Sequence, residues 1–295
     1  MKRILTLALA VVMMLGCVAT FTSCSEDEKL NFGKELVTVG SQLDALNGLL
    51  KGDADIAVID SIMAGYYMST GDTFQNYQIL EGVVLADEEY GIGAKKGNDA
   101  LIGKINEAII ALADTGYKAV AQAYGLEADL LAKADTVNPQ ADATDNSWND
   151  VVSRGKIIIG YTEFAPIAYY EGDGANKEFK GFDIDLAEAV IAYLNAKYGV
   201  SVEIEFKEIV WDNKEADLNT GNIDLVWNGM TITEERKANM AMSIPYLANK
   251  QVAVVKKADA AKYGATKDEF VQNTADCIII VEKGSAGEGV VHTVD

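Results

Sequence analysis

The sequence predicts an α/β protein with two hydrophobic cores and largely parallel sheets. Short apolar runs typical of buried strands alternate along the chain with segments of helical periodicity. A chain of 295 residues is long enough for two cores, and a hydrophobic content of 49% is sufficient to fill them. Because alternating strands and helices pack as βαβ units, we expect helices to cover sheets of mostly parallel strands.

The predicted elements follow from these two periodicities. Each strand is a short apolar run, and the strands are Ile56–Asp60, Lys156–Tyr161, 202–206, 223–227, 251–255 and 277–281. Each helix has apolar residues three or four positions apart, and the helices are 43–50, 61–68, 101–112 and 185–198, with Gly52, Gly116 and Gly199 as stop signals. The segment 132–149 contains Pro139, lacks an apolar period and is therefore interpreted as a linker.

The first residues indicate export. Two basic residues precede an uncharged apolar run over 4–18, which is too short for a membrane span and typical of a secretory signal. Two small residues then precede Cys24, and an acidic stretch follows it, as in a bacterial lipobox. We expect a lipoprotein signal peptide over 1–23 and acylation of Cys24. Acylation of Cys17 and a plain cleaved signal with an incidental cysteine remain alternatives.

The amino-acid composition limits the kinds of binding and catalytic site that we expect. The formal net charge of −20 argues against nucleic-acid binding, which needs a basic surface. Cys277 is the only cysteine beyond the signal region, so it cannot form an internal disulfide and is interpreted as a small core residue. His292 is the only histidine. We therefore expect no zinc site, no histidine-based catalytic dyad and no cofactor.

The second half of the chain contains a set of motifs: Phe164-Ala165-Pro166, the sequence FKGFDIDL at 179–186, GNID at 221–224, NGMTITEER at 228–236 and GSAGE at 284–288. In number and spacing these motifs resemble those of the solute-binding proteins of polar amino-acid ABC importers. In that family they belong to the first lobe and the beginning of the second.

The remaining family segments stand at the front of the chain. The sequences at 39–42, 49–52 and 55–60 resemble the end of the family's second lobe, and those at 90–93 and 98–126 resemble the return to the first. The resemblance implies a two-lobed, periplasmic-binding-protein-like α/β fold that is circularly permuted, with the cut in the second lobe. A fragment of a tandem array and a chain that completes its lobes by swapping are the alternatives.

The permuted order fixes the expected domains. Lobe 1 comprises 92–131 plus 150–246, lobe 2 comprises 25–89 plus 251–295, and the linker 132–149 joins the family's usual termini. Two crossings between the lobes, near 89–91 and 247–251, are expected to act as a hinge.

A buried zwitterionic amino acid needs a partner for each of its charges. Arg236 lies in a predicted helix capped by Thr233 and can bind an α-carboxylate with two hydrogen bonds. The resemblance implies that Ser285 and the amide of Ala286 bind the same carboxylate from the other lobe. The alternatives are a solvated arginine beside Lys237 and an ordinary Gly-Ser turn.

The ammonium group needs oxygen acceptors. The resemblance assigns this role to Asp60, the carbonyl of Gly229 and the hydroxyl of Thr231, and it assigns the walls of the pocket to Phe164 and Trp211. Asp60 is alternatively the cap of the helix that follows it.

The resemblance implies an exported binding protein, lipid-anchored outside the cytoplasmic membrane or periplasmic, and not an enzyme. It would capture a free polar amino acid by closure of its lobes and, as a monomer, deliver the ligand to an ABC permease. A dehydratase-like enzyme on the same fold, a sensor for a signalling partner and a receptor that has lost closure are the alternatives. Glu163 pointing into the pocket would favour a cationic ligand, and pointing outward a polar or neutral one. The sequence identifies neither the amino acid nor the permease.

Overall fold

A computed structural model of the chain describes residues 30–138, 144–172 and 174–293. The predicted signal peptide and both candidate acylation sites, Cys17 and Cys24, lie outside the described residues. Among the described helices, none is sufficiently long and apolar to cross a membrane.

Strands and helices alternate along most of the chain. The strands are β1 (Leu30–Asn31), β2 (Glu35–Val39), β3 (Ile56–Asp60), β4 (Tyr77–Lys95), β5 (Lys156–Tyr161), β6 (Tyr169–Glu171), β7 (Glu178–Lys180), β8 (Glu203–Glu208), β9 (Leu225–Thr231), β10 (Met240–Met242), β11 (Leu247–Lys256), β12 (Ile278–Glu282) and β13 (Val291–His292). The helices are α1 (Gln42–Lys51), α2 (Ser61–Ser69), α3 (Asp99–Ala111), α4 (Gly116–Tyr124), α5 (Ser147–Arg154), α6 (Phe182–Tyr198), α7 (Lys214–Thr220), α8 (Glu234–Asn239), α9 (Lys267–Asn273) and α10 (Ala286–Val290).

One mixed sheet runs through both lobes in the order β2-β12-β3-β11-β4-β9-β5-β8, with β10 added to β4. Its outer strands are parallel, as β12 is to β2 and β3, and as β5 is to β8 and β9. The centre is antiparallel, because the long strands β4 and β11 pass between the lobes and pair with each other, with Leu247 opposite Tyr90. The prediction of largely parallel sheets is therefore wrong for the centre of the sheet.

Two details of the sequence interpretation are corrected. Helix α5 begins at Ser147, inside the predicted linker 132–149. The reason is that Trp148 and Val151 are buried in a core, and the Ser147 hydroxyl accepts a hydrogen bond from the amide of Leu101. Gly116 does not stop α3, which has Leu112 as its C-cap; it is the first residue of α4. Cys277 precedes β12 and is half-buried.

The described residues form two main hydrophobic cores, which we use to define lobe 1 and lobe 2, and each core draws on two separate stretches of chain. The core of lobe 1 contains residues from 90–132 and 148–247 together with Met63, and Phe182 stacks on Tyr246 at its centre. The core of lobe 2 lies on both faces of the β2-β12-β3 region and contains residues from 32–85 and 252–291. The strands β4 and β11 connect the two cores, so the space between the lobes lies beside these crossings.

The start of α6 depends on Gly181, which has a φ of 143° and precedes the buried residues Phe182 and Asp183. A Cβ atom there would lie 2.2 Å from the carbonyl oxygen of Ile167. We expect Gly181→Ala to lower the free energy of unfolding by about 3 kcal/mol or more, since strain and a backbone clash act together. Gly199→Ala is the matched control, because its φ is 64° and nothing lies within 4 Å of an added Cβ.

Urea denaturation of both variants measures the difference. Gly199→Ala is expected to cost only about 1 kcal/mol, the usual strain of a left-handed alanine. Equal losses in the two variants would contradict the account of the Gly181 turn.

Candidate functional site

A small cavity lies between the lobes and is lined by residues of both. All eight residues that the sequence analysis assigned to ligand binding line this cavity. The lining residues are Gln42, Asp60, Met63, Thr162, Glu163, Phe164, Trp211, Asn228, Gly229, Thr231, Arg236, Glu282, Ser285 and Ala286.

The cationic side of the cavity is the guanidinium of Arg236. Helix α8 begins as predicted, with the Thr233 hydroxyl accepting a hydrogen bond from the amide of Arg236. The side chain is 7% exposed and donates to the carbonyls of Thr231 at 2.7 Å and Gly284 at 3.2 Å. Its guanidinium carbon lies 5.8 Å from the centre of the Trp211 ring. A solvated arginine is thereby ruled out, and the planar group is held at a fixed angle.

The anionic side is Asp60, at the end of β3. Its carboxylate accepts hydrogen bonds from the side-chain amides of Gln42, Asn249 and Gln251. Asp60 is also the N-cap residue of α2, but its side chain makes no capping hydrogen bond. Burial raises the pKa of Asp60, while these hydrogen bonds lower it in part.

A second buried acid, Glu88 on β4, stands behind Asp60. Glu88 accepts from Asn249 at 2.8 Å and Gln251 at 3.0 Å, so the same two amides on β11 bridge both carboxyl groups. Burial, followed by the charge of Asp60, raises the pKa of Glu88 well above its usual value. This acid pair spans β3, β4 and β11, which places buried charge at the crossings between the lobes.

Gly229 brings the backbone of β9 against the cavity wall. Its φ is 59°, and an added Cβ would lie 2.7 Å from the ring of Phe164. Its amide donates to the carboxylate of Asp183 at 2.7 Å, and the hydroxyl of Tyr246 donates to the same oxygen at 2.8 Å. Asp183 therefore positions Gly229 from α6, and burial raises its pKa to about 7.

The two lobes meet at the carbonyl of Gly284, just before Ser285. This oxygen accepts hydrogen bonds from Trp211 Nε1 at 3.1 Å, Lys214 Nζ at 3.2 Å and Arg236 Nη2 at 3.2 Å. Beside it, Lys283 pairs with Asp212 at 2.8 Å. The loop that carries Ser285 and Ala286 is thus held against lobe 1 by groups that also border the cavity.

Residues 157–286 match the model of bacterial extracellular solute-binding proteins, family 3. The match covers less than half of the chain, and over these residues the chain is similar to that family. The probable ABC transporter extracellular-binding protein YckB of Bacillus subtilis is 26% identical over 152 residues, which are 51% of each chain. The probable histidine-binding protein of Neisseria gonorrhoeae is 39% identical over 35% of this chain and 36% of its own. The L-cystine-binding protein TcyJ of Escherichia coli K12 is 31% identical over 45% of this chain and 46% of its own. The chain thus spans about a third to a half of these relatives.

Several polar residues of this cavity were missed by the sequence analysis. Glu282 lines the cavity and is 5% exposed, and Gln42 orients Asp60. Glu163 also lines the cavity, but its side chain is exposed. The position of Glu282 at the carboxyl end of a buried strand, two residues before Gly284, was the available signal.

The buried acids of this protein make its stability depend on pH. The pKa of Glu282 is raised to about 8 and that of Asp183 to about 7, with burial as the main cause. Since the folded state then binds more protons than the unfolded state between about pH 4 and 8, stability falls as pH rises through this window. For Asp183 alone the loss is at most on the order of 4 kcal/mol.

Urea denaturation of the ligand-free protein at pH 5, 6, 7 and 8 tests this expectation. The free energy of unfolding should decrease over the series, and Asp183→Asn should flatten the decrease. A stability that rises from pH 5 to pH 8 would show that the buried acids are ionised without penalty.

Proposed function

We propose that this chain binds a free amino acid between its lobes and delivers it to an ABC importer. One observation carries the proposal: a buried guanidinium and a buried carboxylate, Arg236 and Asp60, face one small cavity from opposite lobes. A zwitterion offers the complementary pair of charges, and each charge is costly to bury without its partner. The function proposed is therefore binding rather than catalysis.

The roles of the lining residues follow from their chemistry. Arg236 binds the α-carboxylate, joined by Ser285 and the amide of Ala286. The ammonium group is bound by Asp60, and the Gly229 carbonyl and the Thr231 hydroxyl supply further acceptors.

Two aromatic side chains complete the proposed pocket. The rings of Phe164 and Trp211 enclose the aliphatic part of the ligand. Trp211 also donates to Gly284 of the other lobe, so the wall and the lobe contact share one side chain.

Closure is the proposed means of delivery. The ligand touches both lobes only when they are together, so its binding energy favours the closed state over the open one. Residues 89–91 of β4 and 247–251 of β11 are the proposed hinge, because the main chain crosses between the lobes there. The ABC permease would bind the closed form.

The remaining proposals concern the cell envelope and the chain order. We infer that Cys24 is acylated after removal of 1–23 and anchors a monomeric receptor outside the cytoplasmic membrane. Loss of the protein from the membrane fraction in Cys24→Ala tests the anchor.

We also infer a circular permutation in which 132–146 joins the two parts of lobe 1. A protease site introduced at the exposed Val137 should give a nicked protein that stays associated and binds ligand, since both lobes draw on both fragments.

A thermal-shift screen of the purified chain against the common amino acids, cystine and ornithine tests the main proposal. At least one should raise the unfolding midpoint, because a ligand at 100 times its Kd adds about 2.7 kcal/mol. Amino acid amides and acetylated amino acids are the matched controls, since each lacks one of the two charges. A folded protein that responds to none of these amino acids would overturn the proposal.

A further inference from the structure

Glu282 is a buried acid of the cavity that has no role in the proposed clamp, by which we mean Arg236 and Asp60 binding the two charges of the amino acid. It is the last residue of β12, is 5% exposed and lines the cavity beside Gln42 and Asp60. The clamp needs one cation for the α-carboxylate and one anion for the ammonium, and Arg236 and Asp60 supply them. Glu282 is therefore an additional acidic group facing the same space.

The charged groups around Glu282 come from three other elements. They are Asp60 on β3, Lys214 on α7 and Arg236 on α8. Neither cation forms an ion pair within 4 Å with an acid of the described residues. Lys214 donates instead to the carbonyls of Trp211 and Gly284, and Arg236 to those of Thr231 and Gly284. Both cations are thus directed to backbone carbonyls, and Glu282 has a side-chain hydrogen bond with Gln42 but no ion pair within the described part of the chain.

Acidic residues outnumber basic residues in the lining of the cavity. Among the described residues that line it, Asp60, Glu163 and Glu282 are acidic and only Arg236 is basic. A neutral amino acid adds one charge of each sign and leaves the excess of acid unchanged. A ligand with an additional cationic group would reduce this excess of acidic groups. It would also give a buried carboxylate a partner, which is favourable because an unpaired buried charge is costly.

We propose that Glu282 binds a cationic side-chain group of the ligand and so selects amino acids with a basic side chain. The proposal rests on the proposed amino-acid-binding function. Gln42 supports this role, because its carboxamide is fixed by bonds to the amide and the carboxylate of Asp60 and separates the two acids.

Protonation supplies an independent signature. Burial first, and then the charge of Asp60, raise the pKa of Glu282 to about 8, so the group is mostly protonated at pH 7. A bound cation favours the ionised form. Binding of a basic amino acid at pH 7 should therefore release a proton from Glu282, and affinity should increase up to about pH 8.

The experiment compares ligands that differ in side-chain charge and little in shape, arginine with citrulline and lysine with norleucine. Isothermal titration of the full chain at pH 7, in two buffers of different ionisation enthalpy, measures Kd and proton release together. The basic member of at least one pair should bind ten times more tightly or better and should release more protons than its neutral partner.

Glu282→Gln should bring that ratio close to one. Glu203→Gln on the exposed face of β8 is the control for net charge and should keep the ratio. Equal or tighter binding of the neutral partners by the unaltered chain overturns the proposal. A preference that persists in Glu282→Gln and disappears in Glu163→Gln assigns selection to the other acid and also overturns it. Absence of binding by any amino acid is the distinct outcome that defeats the proposed function itself.

Discussion

Arg236→Met is expected to weaken amino-acid binding at least 100-fold, the largest effect we expect from one substitution. The guanidinium is the basic group that lines the cavity, and it is held by two backbone carbonyls in a geometry that leaves a planar face beside Trp211. Truncating one partner of a buried hydrogen-bonded charge pair costs about 2–5 kcal/mol, and 100-fold corresponds to about 2.7 kcal/mol.

Two further variants separate the causes of this loss. Arg236→Lys keeps the charge but not the two-pronged donor, so we expect it to recover only part of the affinity. Lys237→Met removes the neighbouring exposed cation and should leave Kd within about twofold, because exposed charges contribute little. Titration calorimetry gives the affinities, and circular dichroism confirms that each variant is folded. Tight binding by Arg236→Met would show that Arg236 does not bind the carboxylate of the ligand.

Local sequence signals predicted the elements that carry the site. The cap at Thr233 was visible because a threonine precedes two glutamates and Arg236, and the structure places that helix start as expected. The strand Ile56–Asp60 and the helix that follows were visible from their apolar periods. Both signals depend on only a few neighbouring residues, so they can be recognised in the sequence without knowledge of the tertiary fold.

Glu88 shows why the rest of the polar network was missed. It lies in the run Asp87-Glu88-Glu89, which from sequence alone looks solvated, and its two neighbours are indeed exposed. A register shift in the pairing of β4 with β11 leaves Leu85 as an additional residue between Val84 and Ala86. After this bulge the inward positions change from Val83 and Leu85 to Glu88 and Tyr90. Alternation of apolar residues cannot reveal such a shift.

The partners of Asp60 illustrate a second limit. Gln42, Asn249 and Gln251 are 18, 189 and 191 residues away from Asp60 along the chain, and only the sheet order β12-β3-β11-β4 brings them together. Each residue alone is an ordinary polar side chain on a helix or strand. Their convergence depends on which strands are neighbours, and a single sequence does not contain that information in any local pattern.

Asp60→Asn is expected to weaken binding by a similar factor, again about 100-fold or more, because the ammonium loses its anionic partner. Its effect on folding should be smaller, since two changes oppose each other. Asparagine removes a buried charge, which is favourable, but its NH2 group replaces one of the two oxygens that accept from Gln42, Asn249 and Gln251, so the donors on that side lack an acceptor. We therefore expect the change in unfolding free energy to be well below the change in binding free energy.

The titration of Glu88 distinguishes this account from simple damage to the site. The charge of Asp60 is one cause of the raised pKa of Glu88, so Asp60→Asn should move that pKa toward its usual value while the network persists. Asp53→Asn, at an exposed acid in the turn before β3, is the control and should change neither binding nor the titration. If Asp60→Asn kept full affinity with Glu88 shifted as expected, the ammonium would be bound elsewhere. If instead the affinity and the stability were both lost and Glu88 no longer titrated as a buried group, Asp60 would act mainly as a structural acceptor. Substitution of a residue that contacts the ligand directly should weaken binding while the hydrogen bonds of Glu88 with Asn249 and Gln251 stay intact.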